Sequence, residues 1–197
     1  GFQRALCLDE AWSRLDPRAS ERETAISALE ENVHDEGSAV RARGARARFD
    51  DARGSGDSIS QRLAEARDQA AALHLFDEEA RSSAALAMRL AFAGKFADAE
   101  VEAKRLLALG NAQKLSSAAV DAYQTQAIVR QTTGAVGAAL EARRNAAGAA
   151  RAAGLREREA TLMSNLGFAL TTIGARQEAR TAIETGLALA DSIGSQG

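Results

Sequence analysis

Residues 165–191 read NLGFALTTIGARQEARTAIETGLALAD, and this stretch decides the fold predicted for the rest of the chain. Two segments with helical apolar periodicity lie on either side of Gly174. The small residues Gly167 and Ala179 let two antiparallel helices approach closely, and larger residues such as Ile183 fill the seam between them. The stretch therefore predicts an αα-hairpin with Gly174 in its turn.

The turn glycine recurs along the chain at steps of forty residues, at Gly54, Gly94, Gly134 and Gly174. Each of these glycines follows one alanine-rich or apolar helical pattern and precedes another. A fixed period of this size is the sequence signature of a stacked repeat protein. We therefore predict an all-α fold, and a forty-residue period predicts about five antiparallel helix hairpins in 197 residues.

The hairpin around Gly174 resembles a tetratricopeptide repeat, in which small residues, a large residue and a turn glycine recur at these offsets. The third repeat matches well, through Ala87, Leu90, Gly94, Phe96, Ala99 and Leu106. The fourth departs from the pattern at Arg130 and Arg143, where a large apolar residue is usual, and the second departs at Asp50 and Ile59. The tetratricopeptide period is about 34 residues. The longer period here is similar to that of repeats in large bacterial signalling proteins.

This resemblance implies a right-handed α-solenoid that forms one domain over residues 1–197. The expected repeats cover residues 1–37, 38–77, 78–115, 116–155 and 156–197. Because the chain opens inside a helical pattern at Phe2 and ends just after one, we expect it to be part of a longer polypeptide. No apolar run approaches the roughly 20 residues that cross a bilayer, and no signal-peptide pattern is present, so we expect a cytoplasmic protein without a membrane partner.

Composition narrows the class of partner. A formal net charge of -2 and a pI near 5.8 give no general attraction to nucleic acid or acidic membranes, so nucleic acid is not an expected partner. The single cysteine, Cys7, cannot form an intrachain disulfide, and we expect it to be a small buried thiol.

Local patterns predict where individual helices begin and end. Ser20 and Glu23 have the spacing of a capping box for a helix that continues to Gly37. A basic helix is predicted over residues 38–53, followed by a loop at residues 53–57 and by a later connector at residues 111–114.

No set of residues predicts catalysis. Glu31 and His34 have the spacing of a di-iron ligand pair, but a second such motif is missing, and we expect His34 to be solvated. The glycine-rich loop around Gly54 lacks the lysine of a phosphate-binding loop. We therefore predict a protein that is not an enzyme and has no metal or cofactor.

In tetratricopeptide-like stacks, the first helix of each hairpin lines a concave groove, which the resemblance carries over to this chain. The corresponding residues here are Arg41, Arg48, Asp51, Arg81, Met88, Phe92, Asp121, Gln124, Ile128, Gln131, Thr161, Ser164, Phe168 and Thr171. The groove would be basic at its early end, apolar in the middle and polar at its late end. The arginine-rich helix can either grip anionic groups of a partner or be a solvated helix with local ion pairs, and the sequence leaves both open.

These features predict a non-catalytic protein-interaction scaffold or regulatory domain of a bacterial signalling protein, which binds a protein or peptide segment in the groove. One alternative is a small-molecule sensor that controls an attached output domain. Another is a self-assembly module, in which Leu8, Trp12 and Leu15 at an exposed repeat end are buried against a second copy to form a homodimer.

Overall fold

The computed structural model describes residues 1–54 and 58–194, with the side chains of residues 14 and 15 excepted. These residues form ten α-helices and contain no strand. The helices are α1 (Phe2–Leu15), α2 (Ser20–Glu31), α3 (Glu36–Arg53), α4 (Ile59–Ala72), α5 (Phe76–Phe92), α6 (Phe96–Gln113), α7 (Ser116–Thr132), α8 (Val136–Ala152), α9 (Arg156–Thr172) and α10 (Arg176–Gly194). The predicted all-α class is confirmed. The number of hairpins and the handedness of the solenoid stay predictions.

The chain divides into two compact units, Gly1–Phe92 (unit 1) and Ala93–Gly197 (unit 2). In unit 1, each helix from α1 to α5 packs against the next, and α3 also contacts α1 and α5. In unit 2, each helix from α6 to α10 packs against the next. Packing between successive helices is the pattern expected for a helical repeat.

The ends of the helices follow a regular spacing. The predicted turn residues Gly54, Gly94, Gly134 and Gly174 have φ between 66° and 82°, the left-handed region that favours glycine. Midway between them, His74, Lys114 and Gly154 have φ of 53°, 57° and 68°. A left-handed residue thus ends a helix every twenty residues from position 54 to position 174, which is half the period visible in the sequence.

The turns midway between the predicted glycines share a second feature. Leucine follows the left-handed residue in each of them, at Leu75, Leu115 and Leu155. The backbone N–H of Leu155 donates to the carbonyl of Ala150 at 2.9 Å, which is the long hydrogen bond of a Schellman motif. This leucine series is the sequence signal for the turns that the glycine period does not reveal.

The predicted start and end of α2 are wrong. Ala19 is the N-cap residue, and no side chain caps the helix, so Ser20 and Glu23 do not form a capping box. Instead, the Ser20 hydroxyl donates to the adjacent Glu21 carboxylate at 3.2 Å. The helix ends at Glu31, before the predicted stop at Gly37.

The capping box of this region belongs to α3. The Ser38 backbone N–H donates to Asp35 Oδ1 at 2.6 Å, and Ser38 Oγ accepts from the Asp35 backbone N–H at 3.0 Å. Because the Asp35 side chain accepts from a backbone N–H of the first turn, α3 begins at Glu36, two residues before the predicted start.

Two further expectations are corrected. Helix α6 continues to Gln113, so residues 111–113 are helical and do not form the predicted connector. Cys7 is exposed rather than buried, because the core side of α1 is formed by its neighbours Ala5 and Leu6. Residues 55–57 of the predicted loop lie outside the described residues.

Small residues create the tightest contacts of unit 2, as predicted for the hairpin around Gly174. A Cβ atom added at Gly167 of α9 would lie 2.5 Å from Ile183 Cγ1 of α10. One added at Gly186 would lie 2.8 Å from Ser164 Oγ and 3.0 Å from the Ala160 carbonyl oxygen. Both glycines therefore set how closely α9 and α10 approach.

Candidate functional site

The arginine-rich helix α3 is engaged with other helices of unit 1. The Arg48 guanidinium donates to both carboxylate oxygens of Glu78 on α5, and the side chains are 13% and 0% exposed. Arg46 donates to Glu30 on α2 at 2.7 Å. Arg53 donates to Glu23 at 2.9 Å.

A buried aromatic ring lies beneath these arginines. Phe49 is 1% exposed, and the guanidinium carbons of Arg22, Arg46 and Arg53 lie 5.6, 6.0 and 5.4 Å from its ring centroid. The contact of Arg22 with Phe49 and the ion pairs of Arg46 and Arg53 with α2 join α2 to α3. The geometry gives these arginines a structural role in unit 1.

Other predicted groove residues of unit 1 also have partners within the chain. Arg81 on α5 pairs with Glu10 on α1 at 2.7 Å. Asp51 lies 3.4 Å from Arg89, and burial, only partly offset by that arginine, raises the pKa of the Asp51 carboxyl group. Arg41 is half-buried and has no hydrogen bond or ion pair among the described residues.

The apolar groove candidates of unit 1 differ in exposure. Met88 is half-buried, whereas Phe92 at the end of α5 is 74% exposed. At the first helix, which was considered for self-assembly, Leu8 is 45% exposed and Trp12 is half-buried.

In unit 2, the predicted groove residues of α7 contact charged residues of neighbouring helices. Arg158 on α9 donates to Asp121 and, at 2.9 Å, to Gln124. These hydrogen bonds link α9 to α7 through the long Arg158 side chain, although the two helices do not pack directly against each other. Ile128 is half-buried, and Gln131 is exposed and accepts a hydrogen bond from Arg143 on α8.

The predicted residues of α9 lie on two adjoining sides of the helix. Thr161 and Phe168 face solvent, and Phe168 is 69% exposed. Ser164 and Thr171 are also exposed but border α10: Ser164 lies next to Gly186, and Thr171 lines a cleft between α9 and α10.

Thr171 of α9 and Ile183 of α10 line one cleft, and we call these two residues, together with the exposed Phe168 three residues before Thr171 and the exposed Leu187 four residues after Ile183, the α9–α10 patch. Ile183 is 38% exposed and Leu187 is 57% exposed. The cleft of the patch is lined by Thr171, Arg176, Ala179, Arg180, Ile183 and Glu184. The sequence prediction missed α10 because it assigned the groove to the first helix of each hairpin, although Ile183 and Leu187 have the i, i+4 spacing of a shared helix face.

A second cleft, in unit 1, is charged. It is lined by Glu30, Arg43, Arg46, Arg62, Glu65, Ala66 and Gln69. Arg62 pairs with Asp50 at 2.7 Å, and Arg43 donates to the neutral Gln69 side chain at 2.8 Å. No cluster of potential metal ligands occurs among residues 1–54 and 58–194, and no helix in those ranges is long and apolar enough to cross a membrane.

The geometry defines an all-helical protein with successive packed helices, close contacts at small residues and an exposed apolar patch on its last two helices. The fold is similar to the crystal structure of BtubC (BKLC) from P. vanneervenii, with a TM-score of 0.71 over 98% of this chain and 80% of that chain. Their sequence identity is 16%, so the likeness shows a shared fold alone. No protein-family model and no curated protein matches the sequence.

Proposed function

We propose that this chain is a tetratricopeptide-type solenoid that binds a partner protein without catalysing a reaction, as a regulatory part of a bacterial cytoplasmic signalling protein. The partner contributes an amphipathic helical segment that docks on the α9–α10 patch. Phe168 carries this proposal, since it is 69% exposed on α9, three residues before Thr171, which lines the same cleft as Ile183. Phe92 of unit 1, 74% exposed, is a second candidate anchor for the same class of partner.

Two polar interactions at the cleft of the patch are already satisfied within the chain. Burying an exposed phenylalanine ring contributes on the order of 1–3 kcal/mol. The Thr171 hydroxyl already donates to the Gly167 carbonyl at 2.9 Å, and Arg180 donates to Glu184 at 2.8 Å. These polar groups keep their partners when an apolar surface covers them, so the area buried contributes to affinity.

The shape of the patch favours a helical occupant. Thr171 of α9 and the apolar residues Ala179 and Ile183 of α10 line a cleft between two packed helices, and an amphipathic helix fills such a groove with residues at i, i+3 or i+4, and i+7. The expected partner segment therefore has large apolar residues at this spacing.

The proposal is tested by selecting a library of random twelve-residue peptides against the wild-type chain, Phe168→Ser and Val101→Ser. Val101, on α6 of the same unit, is 66% exposed and matches Phe168 as an exposed apolar residue outside the patch. The wild type and Val101→Ser are expected to enrich amphipathic peptides, and Phe168→Ser is expected to lose that enrichment. Equal enrichment by Phe168→Ser and Val101→Ser contradicts the patch as the docking site.

The charged cleft of unit 1 supports the sensor alternative. Arg43 there donates only to a neutral amide among the described residues, so an anionic effector can replace Gln69 as its acceptor. A thermal-shift screen with small carboxylates and phosphates tests this function. A rise in Tm that Arg43→Gln removes supports the sensor, and unchanged Tm across the panel counts against it.

A further inference from the structure

Arg143 of α8 is an arginine that pairs with no carboxylate in the part of the chain that the structure describes. Its Nη2 donates to the side-chain oxygen of Gln131 at the surface, and this neutral amide is its hydrogen-bond partner among the described residues. Its Nε is buried and has no acceptor. Burial lowers the pKa of the Arg143 guanidinium, and no nearby charge offsets that shift.

Burial distinguishes Arg143 within unit 2, since Arg156, which also donates to a neutral group, the Ser192 hydroxyl, is exposed. Five arginines of that unit each pair with a carboxylate, namely Arg130, Arg144, Arg151, Arg158 and Arg180. Arg144 is adjacent in sequence and pairs with Glu178 at 2.7 Å. A partly buried cation without a counterion is unfavourable, and a carboxylate that arrives from outside removes this deficit.

The surroundings of Arg143 place it on a surface with apolar residues. Val136 lies seven residues earlier on α8, on the same side of the helix, and is 45% exposed. Ile128 lies one turn before Gln131 on α7. The forty-residue period also makes Arg143 the counterpart of Ile183, which belongs to the α9–α10 patch.

From this arrangement we infer that Arg143 pairs with an aspartate or glutamate side chain of the segment that docks on the α9–α10 patch. The carboxylate replaces the Gln131 amide oxygen as the acceptor of the Arg143 Nη2 proton, and no covalent step is involved. This inference rests on the proposed docking function and adds a charge requirement to its partner.

The repeat spacing also gives the position of that acidic residue. Neighbouring packed helices lie about 8–10 Å apart. Arg144 of α8 reaches Glu178 of α10 through its long side chain, but α8 and α10 do not pack directly, so Arg143 and Ile183 are separated by at least the spacing of packed helices. A helix rises about 1.5 Å per residue, which places the acidic residue at least roughly seven positions from the apolar anchor.

The same twelve-residue library tests the charge requirement, with Arg143→Gln and the matched control Arg144→Gln. The library is displayed without a free C-terminus, so that it offers side-chain carboxylates. Wild type and Arg144→Gln are expected to enrich peptides with an acidic residue at least about seven positions from a large apolar residue. Arg143→Gln is expected to lose the acidic preference.

A C-terminally amidated synthetic peptide from the wild-type pool then gives the size of the effect. Changing its glutamate to glutamine is expected to weaken binding to the wild type on the order of tenfold. The same change is expected to alter binding to Arg143→Gln less than about twofold. A pool without acidic preference, a preference that survives Arg143→Gln, or a glutamate-to-glutamine change that weakens binding to the wild type and to Arg143→Gln equally overturns the inference.

The two proposals fail in different ways. If Phe168→Ser abolishes enrichment while the wild-type pool shows no acidic preference, the docking site stands and the role of Arg143 falls. If Phe168→Ser leaves enrichment unchanged, the docking site itself falls, and the inference falls with it.

Discussion

The two compact units hold their helices together by different means. In unit 1, buried or half-buried ion pairs join the helices, such as Arg22 with Asp9, both 3% exposed, and Arg48 with Glu78. In unit 2, glycines allow apolar side chains of the next helix to approach closely, as Gly167 does for Ile183, and most ion pairs lie nearer the surface. Unit 1 also has a close approach at a glycine, Gly44, but there the neighbouring group is the ion-paired Glu78 carboxylate.

This difference changes how the arginines are interpreted. The sequence shows several arginines on α3 and one at Arg143, but it does not show which of them have partners. In unit 1, the acids come from α2 and α5, so the charge of Arg46 and Arg48 is used within the fold. In unit 2, Arg143 has no such acid among the described residues. Arg143 is therefore a better candidate than the ion-paired arginines of α3 for binding a partner's carboxylate.

The largest effect is expected from breaking the buried pair of unit 1. Arg48→Met leaves the fully buried Glu78 carboxylate without its counterion and should reduce the free energy of unfolding by about 3–5 kcal/mol. Urea denaturation measures this change. The double variant Arg48→Met, Glu78→Leu should recover most of it, and the exposed control Arg144→Met should cost less than about 1 kcal/mol. A small effect of Arg48→Met would show that the pair is not what joins α3 to α5.

In unit 2, glycine substitutions should have opposite signs at packed and open sites. At Gly186 an added methyl group meets the Ala160 carbonyl oxygen at 3.0 Å, so Gly186→Ala should destabilise by about 1–3 kcal/mol. At Gly148 of α8 nothing lies within 4 Å of the added atom. Gly148→Ala should therefore stabilise by roughly 0.5–1 kcal/mol through helix propensity. Thermal unfolding gives both values, and equal signs contradict close α9–α10 packing.

Removing the partly buried charge of Arg143 should stabilise the chain. Arg143→Met relieves a desolvated guanidinium and should increase the free energy of unfolding by on the order of 1 kcal/mol. Arg144→Met, which breaks the surface pair with Glu178, is the control and should not stabilise. Urea denaturation distinguishes the two, and destabilisation by Arg143→Met would show that Arg143 contributes to the fold.

The smallest effect concerns the cap of α3. Hydrogen bonds from the Ser38 backbone and side chain lower the pKa of Asp35 below 3.8. The ionised cap therefore contributes stability above the unfolded-state pKa, and this contribution is lost as pH falls through the lower folded-state pKa. Asp35→Ala should lower Tm at pH 7 and have less effect at pH 2, whereas Asp35→Asn, which keeps the acceptor, should lose this pH dependence. A Tm difference that is the same at both pH values contradicts the assignment.

Periodicity predicted more of the fold than of the site. The glycine series revealed one of every two helix ends, but His74 and Lys114 conceal the other series because they adopt left-handed backbone without being glycine. Phe168 is predicted as a groove residue; the structure shows that it is exposed, and its place in a groove stays a prediction. The partners of Arg48 and Arg143 depend on residues thirty and twelve positions away, which a repeat pattern does not specify.

Methyl NMR of the chain with a peptide enriched by the wild type shows directly whether the α9–α10 patch is the docking surface. The methyl signals of Ile183 and Leu187 should shift with saturation, while that of the buried Ile26 in unit 1 should remain in place. Shifts confined to methyl groups outside the patch, with Ile183 and Leu187 unchanged, would show that the segment docks elsewhere.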